Sequence, residues 1–530
     1  MVSFTKRKLA VCFVIIGEVC NVEINGGITL KLNIPVHKNE EYPAKVVDLS
    51  YEGNGVVKID DFPVFVPNAL PGEEITVKIT KVTSHFAWGR VMDWHTKSPD
   101  RVDVKDKKYI QTGIAPLGHL KYEAQLKFKQ HQIAELLAKA HLDEIEVLPT
   151  MGMKKPYHYR NKAQVPVKMV RGQLETGFYK RGSHNLVPIE DFYIQDPEID
   201  KAIVVVRDLL RQYHITPYDE QTGKGVIRTV MVRRGYYSHE IMVALVTNTK
   251  RLPMEKQIVD GIVAEVPEVK SIVQNINDKK TNRLLGDKNK TLWGADEIHD
   301  QLLGIDFAIS PLSFYQVNPQ QTERLYQTAI DNAGLDGNQT VIDAYCGIGT
   351  ISLAVAKHAK QVYGVEIVPA AIEDAKHNAK RNGIKNAKFV VGKAEDQFAK
   401  WQAEGLKPDV IIVDPPRKGL AESLIEATGK MAPKKVIYVS CNPATLVRDI
   451  KRFADQGYHV TKPIQPVDQF PQTTHVESVT VLKRTNIADK PRSDGIYRWL
   501  KVYFFPSELL EIVHFFYLKL AGRVFYVLFR

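Results

Sequence analysis

The chain of 530 residues is 44% hydrophobic and 25% charged, which supplies the cores of several globular domains and excludes a chain that stays disordered. Its 72 Lys and Arg against 61 Asp and Glu give a formal charge of +11, which suits either a polyanionic partner or a solvated basic surface. Four cysteines, at 12, 20, 346 and 441, show no CxxC spacing, which excludes a zinc or dithiol site of that pattern and fits a reducing, cytoplasmic compartment.

In chain order, Lys6-Arg7-Lys8 precedes an apolar run at 9–16 that is too short to span a bilayer, so residues 1–37 are expected as an irregular extension and no membrane partner is expected. Between 41 and 94, β-branched residues alternate with polar ones around turns at Glu52-Gly53-Asn54-Gly55 and Pro71-Gly72, which predicts a small antiparallel β-barrel over 38–98. Lys81, His85, Phe86, Trp88 and Arg90 are candidates for a face binding single-stranded nucleic acid; alternatively, Phe86 and Trp88 close the barrel core. A helix is predicted over 122–140, within a central α/β segment spanning 105–309. Cations at Arg160, Lys162, Lys180, Arg181, Arg233 and Arg234 mark strand ends there and are candidates for an RNA groove.

After residue 309 the pattern becomes regular. Apolar runs at 341–345, 362–366, 388–391, 410–414 and 436–440 alternate with helical segments such as 370–381 and 421–430, predicting a Rossmann-like, mostly parallel sheet over 310–485. Two final strands, at 460–466 and 476–482, are expected as an antiparallel pair. Ligands of such sheets bind beyond the carboxyl ends of the strands. There, Gly347 and Gly349 permit close backbone approach, and Glu366 ends the second strand where an acid accepts hydrogen bonds from ribose hydroxyls. NAD and S-adenosylmethionine both satisfy that geometry. In the later loops, Asp414-Pro415-Pro416-Arg417 carries Arg417 where amine methyltransferases place an aromatic, and Cys441 follows the next strand, which together favour methylation of carbon.

The set Ser313-Phe314-Tyr315-Gln316-Val317-Asn318-Pro319, Asp343-Ala344-Tyr345-Cys346-Gly347-Ile348-Gly349-Thr350, Asp414-Pro415-Pro416-Arg417-Lys418-Gly419, Ser440-Cys441-Asn442-Pro443 and His475-Val476-Glu477-Ser478 resembles the RNA uracil-5-methyltransferase family in content and order. The barrel resembles that family's TRAM RNA-binding domain. The resemblance covers residues 38 to 485 and implies that Gln316, Tyr345, Glu366 and Asp414 contact S-adenosyl-L-methionine, with Cys441 as nucleophile and Glu477 as general base. Cys346 is expected as a packing residue. By the same resemblance a TRAM barrel favours 23S rRNA as substrate, with tRNA as the alternative and a noncatalytic ribosome-assembly factor as a reading from another class. Many relatives hold an iron-sulfur cluster through cysteines near a segment like Gly118-His119-Leu120. Residues 105–120 contain no cysteine, so no cluster is expected.

Carbon 5 of uracil is a poor nucleophile, and a thiolate added at carbon 6 converts it into an enolate-like carbanion. A helix starting at Asn442-Pro443, or nearby cations, is expected to favour the Cys441 thiolate. The target uridine is expected to leave its RNA stack. Residues 486–530, with Tyr503-Phe504-Phe505 and Phe515-Phe516-Tyr517, fit either an amphipathic accessory helix or an atypical reading frame. The sequence carries no signal of oligomeric state.

Overall fold

The computed structural model describes residues 34–104, 106–281 and 283–484, and the backbone of two short hairpins outside them. One hairpin pairs Phe13–Ile15 with Glu18–Cys20. The other pairs Phe516–Leu520 with Arg523–Val527, where an amphipathic helix was one expectation. The remaining expectations for the two ends fall outside the described residues.

Five strands close into a barrel in the order Glu41–Leu49, Gly55–Ile59, Phe62–Val66, Ala87–Thr96, Glu74–Val82. Alternation puts Val46, Val57, Val64, Val66, Ile75, Val77, Ile79 and Ala87 inside. The packing is tight: a Cβ at Gly89 would lie 2.3 Å from Val77 Cγ2. Phe65, Phe86 and Trp88 are absent from this core and form a half-buried aromatic cluster with centroids 5.5–6.4 Å apart. The alternative in which Phe86 and Trp88 close the barrel core is therefore overturned. Fully buried Glu73 accepts hydrogen bonds from Arg101, Trp94 Nε1 and the Leu70 and Ser98 N–H groups, fastening the chain that leaves the barrel.

The central sheet has seven strands, in the order Leu186–Pro188, Gln173–Tyr179, Lys162–Val170, Ile227–Arg234, Ile241–Thr247, Val269–Ile276, Lys288–Gly294. Helices Pro197–Gln212 and Glu255–Glu265 cover one face through Ile203, Val206, Leu210, Ile258 and Ile262. On the other face Met231, Met242 and Ala244 join the core of the following domain.

That domain is an eight-stranded sheet with parallel strands Ala387–Val391, Gln361–Glu366, Thr340–Ala344, Val410–Val413 and Lys435–Ser440, followed by Glu477–Arg484, antiparallel to them, and Tyr458–Val460, which pairs antiparallel with Glu477–Arg484. The strand expected over 460–466 is instead two short pieces, Tyr458–Val460 and Gln465–Val467, each paired with Glu477–Arg484. At Ile464 the chain turns to the segment after helix Tyr122–Lys139, with Ile464 N–H donating to Glu146 O and Leu148 N–H to Ile464 O, and Pro466 O accepts from Met151 N–H.

Helix Tyr122–Lys139 shares a core, through Ile133 and Leu137, with Tyr438 of the C-terminal sheet, Phe453 of helix Pro443–Asp455 and Ile464. It is pinned by a fully buried ion pair, Lys129 with Asp468, and by the Tyr122 hydroxyl donating to Asp468 at 2.7 Å. Removing one member of a buried pair strands the other charge, so Asp468→Ala is expected to lower the unfolding free energy by about 3–5 kcal/mol in urea denaturation. Asp260→Ala, which breaks an exposed pair with Lys256, should leave the midpoint nearly unchanged. Equal effects at the two sites would refute the anchoring role.

Candidate active site

The parallel sheet ends its strands at one edge, and that edge carries the chemistry. Tyr345 follows Thr340–Ala344, Glu366 ends Gln361–Glu366, Asp414 follows Val410–Val413 and Cys441 follows Lys435–Ser440. Register supplies the fifth group: Ser440 pairs with Ser478 across the antiparallel junction, so Cys441 and Glu477 are the next residues on facing strands. Gln316 arrives from the segment before helix Pro319–Ala333, whose N-cap Asn318 is tied to Gln469 O at 3.0 Å. All six residues line one cavity of about 970 Å³.

The first loop is shaped for close backbone approach. Gly347 (φ 55°) and Gly349 (φ 87°) take left-handed conformations, and so does Tyr345 (φ 67°), an uncommon state for a bulky residue. The Tyr345 hydroxyl is buried without a hydrogen-bond partner. Asp343, fully buried below the loop, accepts from Ser352 Oγ through one oxygen and leaves Oδ1 unpartnered. Burial pushes its carboxyl up to about 7. Glu366 Oε1 accepts from Val368 N–H at 2.9 Å. Unsatisfied polar atoms around an acid-lined, glycine-floored cavity fit a ligand with a ribose and polar ends. Ile367 (58% exposed) and Val368 (49%) add an apolar rim beside them.

Tyr326, which sequence reasoning missed, connects two predicted residues. Gln316 Nε2–H donates to Tyr326 Oη at 3.1 Å, and Tyr326 O–H donates to Asp414 Oδ2 at 3.3 Å. Its only sequence signal is a place on the buried face of an amphipathic helix. Arg417 and His475 are also in contact, with Nη2 to Nε2 at 3.1 Å. The Arg417 loop is held from the other side: Asn442 caps helix Pro443–Asp455 by accepting from Ala444 N–H, while its Nδ2 donates to Arg417 O at 2.8 Å. Asp449 of the same helix accepts from Leu420 N–H and from the Tyr438 hydroxyl. The loops bearing Asp414 and Cys441 are thus cross-tied.

Electrostatics correct one expectation. The helix after Cys441 is present, yet the thiol is pushed up to about 12, by burial first and then by the carboxylates of Glu477 and Asp414, with Arg417 opposing. Glu477, buried beside Asp414, is likewise raised well above the carboxylate range, and burial raises Asp414 to about 7. Desolvation and two acids outweigh one guanidinium. Cys346 is 4% exposed and packs against Gly364, where an added Cβ would lie 2.9 Å from Sγ.

The basic strand ends behave differently from expectation. Arg233 is 2% exposed and donates to Ser310 O and Ser313 O, and Arg234 is engaged by Glu268 and Asp196. Both are committed to packing, which removes them from an RNA groove; Lys180 and Arg181 are exposed. Among the described residues no group of His, Cys, Asp and Glu is arranged to hold a metal ion, and no helix is long and apolar enough to cross a membrane.

A family model of tRNA (uracil-5-)-methyltransferases matches residues 121–485, and a TRAM-domain model matches 35–92. The chain belongs to the tRNA (uracil-5-)-methyltransferase family. A protein of Lactiplantibacillus plantarum described as an "uncharacterized RNA methyltransferase" is 64% identical over 455 residues, covering 86% of this chain and 100% of the relative. A similarly described Enterococcus faecalis protein is 50% identical over 453 residues, covering 85% and 99%. The crystal structure of Pyrococcus abyssi tRNA (uracil-54, C5)-methyltransferase with S-adenosyl-L-homocysteine aligns with a TM-score of 0.66 at 27% identity, over 83% of this chain and 99% of that one. The family is S-adenosylmethionine-dependent and acts on RNA.

A thiol raised this far is largely protonated at neutral pH, since thiolate accumulates only as pH approaches the raised value. Iodoacetamide labelling of Cys441 in the free protein, followed by peptide mass, should be slow at pH 7 and still rising at pH 10. Arg417→Gln, which removes the opposing cation, should slow it further. A labelling plateau near pH 8 would overturn this account.

Proposed function

We propose that the chain methylates carbon 5 of a uridine in 23S rRNA through a covalent adduct between Cys441 and carbon 6. The observation that carries this reading is the placement of Cys441 and Glu477 on facing strands, with Asp414, in one cavity with the cofactor-type loop. Bound S-adenosylmethionine, held by Gln316, Tyr345, Glu366 and Asp414, would supply an electrophilic methyl on a cationic sulfur, a charge that also opposes the upward shifts in the cavity.

Cys441 gives up its proton and its sulfur forms a bond to carbon 6, moving the carbon 5–carbon 6 π pair toward carbon 5 and oxygen 4. Carbon 5 would then attack the methyl carbon with that pair, the methyl–sulfur bond breaking and its electrons leaving with a neutral thioether. Ionised Glu477 removes the hydrogen from carbon 5; that electron pair re-forms the double bond, and the sulfur–carbon bond breaks to return Cys441 as thiolate. A carboxyl with a raised pKa is the stronger base for this step. Asp414, near 7, is suited to take the thiol proton and leave Glu477 free for carbon 5. Water must be kept from the carbanion, and Phe314, Leu312 and Phe470 supply apolar walls.

The TRAM barrel and its outer aromatic cluster support the rRNA substrate. The tRNA reading has support of its own: the archaeal enzyme named for tRNA aligns over 83% of this chain, so extent alone does not separate the two. Incubating unmodified 23S rRNA and unmodified tRNA with labelled S-adenosylmethionine, followed by nucleoside identification, should give 5-methyluridine in 23S rRNA. Label confined to tRNA would transfer the proposal to that substrate, and tight RNA binding without label would favour an assembly factor. Cys441→Ala should reduce turnover by roughly 10³-fold or more, as loss of a covalent nucleophile does.

Glu477→Gln tests the second half of the cycle. With no base for carbon 5, the methylated adduct should persist as a protein–RNA band resistant to denaturing electrophoresis, and additional Cys441→Ala should abolish it. A Glu477→Gln enzyme with undiminished turnover and no band would remove Glu477 from the mechanism.

A further inference from the structure

The central sheet holds a second cavity, of about 830 Å³, that the proposed reaction does not use. It opens on the face opposite the two covering helices. Met231 on this face packs into the catalytic core; its partner on the neighbouring strand is Gln164, which lines the cavity. Two residues back on the same face, Thr229 pairs with Pro166, and both line the cavity. One sheet face is therefore divided between the catalytic domain and this opening. A sheet surface beside a domain junction would ordinarily be covered or carry a mixture of charges.

The lining is cationic and aromatic. Lys168, Arg228, Lys280 and Arg283 line it with one carboxylate, Glu220, which lies 3.6 Å from Lys168; Arg283 is also paired with Asp287 at 2.8 Å, which leaves Lys168, Arg228 and Lys280 as the main cations. Arg228 lies over the ring of buried Tyr218, its guanidinium carbon 3.9 Å from the ring centroid. One Arg228 Nη2–H donates to Lys279 O at 3.0 Å, while its Nε is buried without a partner. Tyr179 and His184 form an adjoining edge-to-face pair with centroids 6.3 Å apart. A guanidinium stacked on a tyrosine is an oriented plane for a base, and the flanking ammonium groups suit phosphates. The volume lies within the roughly 300–1,000 Å³ range of sites that enclose a small organic unit.

We propose that this cavity is a second RNA-binding site, seating a nucleotide of the substrate strand away from the reacting uridine, with its base against Arg228 and Tyr179 and its phosphates between Lys168 and Lys280. The assignment rests on the reading of the chain as an enzyme acting on structured RNA. It makes affinity depend on RNA outside the modified loop.

The test is binding of the full chain to an unmodified 23S rRNA transcript, measured by filter retention over a series of salt concentrations, for wild type and Lys168→Glu/Lys280→Glu. The variant should bind about tenfold more weakly, with the slope of log K against log salt reduced by about two. Its affinity for S-adenosylhomocysteine should stay within twofold, which reports an intact fold. If the double variant loses that affinity, Lys280→Glu at an exposed position decides the matter, with an expected slope change of about one. RNA affinity and salt slope equal to wild type overturn the proposal and leave the cavity to another ligand. Binding needs no turnover, so absence of 5-methyluridine formation by wild type would refute the proposed function without deciding this one.

Discussion

The register between Lys435–Ser440 and Glu477–Arg484 is the constraint on which the chemistry depends. Parallel strands alone deliver Tyr345, Glu366, Asp414 and Cys441 to one edge, but only an antiparallel neighbour enters the same edge from its amino end. A shift of one residue in that pairing would turn Glu477 to the other face of the sheet. Val439, Val479 and Val481 on one face, with Val436, Tyr438 and Leu482 on the other, resist such a slip because both faces are buried. The apolar core thereby sets the distance between an acid and a thiol without any direct bond joining them.

The cavity places its ionisable groups under strain of a useful kind. Three acids and a thiol share a low-dielectric space with one nearby guanidinium, so each is more basic than it would be in water. Basicity matters where protons must be taken from sulfur and carbon. The network from Gln316 through Tyr326 to Asp414 and the cap from Asn442 to Arg417 hold these groups in place.

Much of this was legible in the linear sequence because local rules govern it. Strand periodicity, the glycines at 347 and 349 and the proline after Asn442 each mark a feature formed by neighbouring residues. Features set by distant partners were not legible. Arg233 and Arg234 read as surface cations because Ser310, Ser313, Glu268 and Asp196 lie far off in sequence. The upward shift of Cys441 is hidden from the sequence for the same reason: a helix terminus is visible in a motif, whereas burial beside Asp414 and Glu477 emerges only on folding. Splitting of the strand at 460–466 follows from contacts with residues 146–151.

The pair of Lys129 with Asp468 has a further consequence for biosynthesis. The two residues are 339 positions apart, with the whole central sheet inserted between them. Helix Tyr122–Lys139 therefore leaves the ribosome early, while Tyr438, Phe453 and Ile464, which complete the core around Ile133 and Leu137, are made near the end of synthesis. Contacts of such separation form slowly, since a long loop must close before they are rewarded. During translation the barrel and central sheet can mature in turn while this helix waits with an apolar face uncovered, which makes it a natural point for a nascent-chain chaperone to hold.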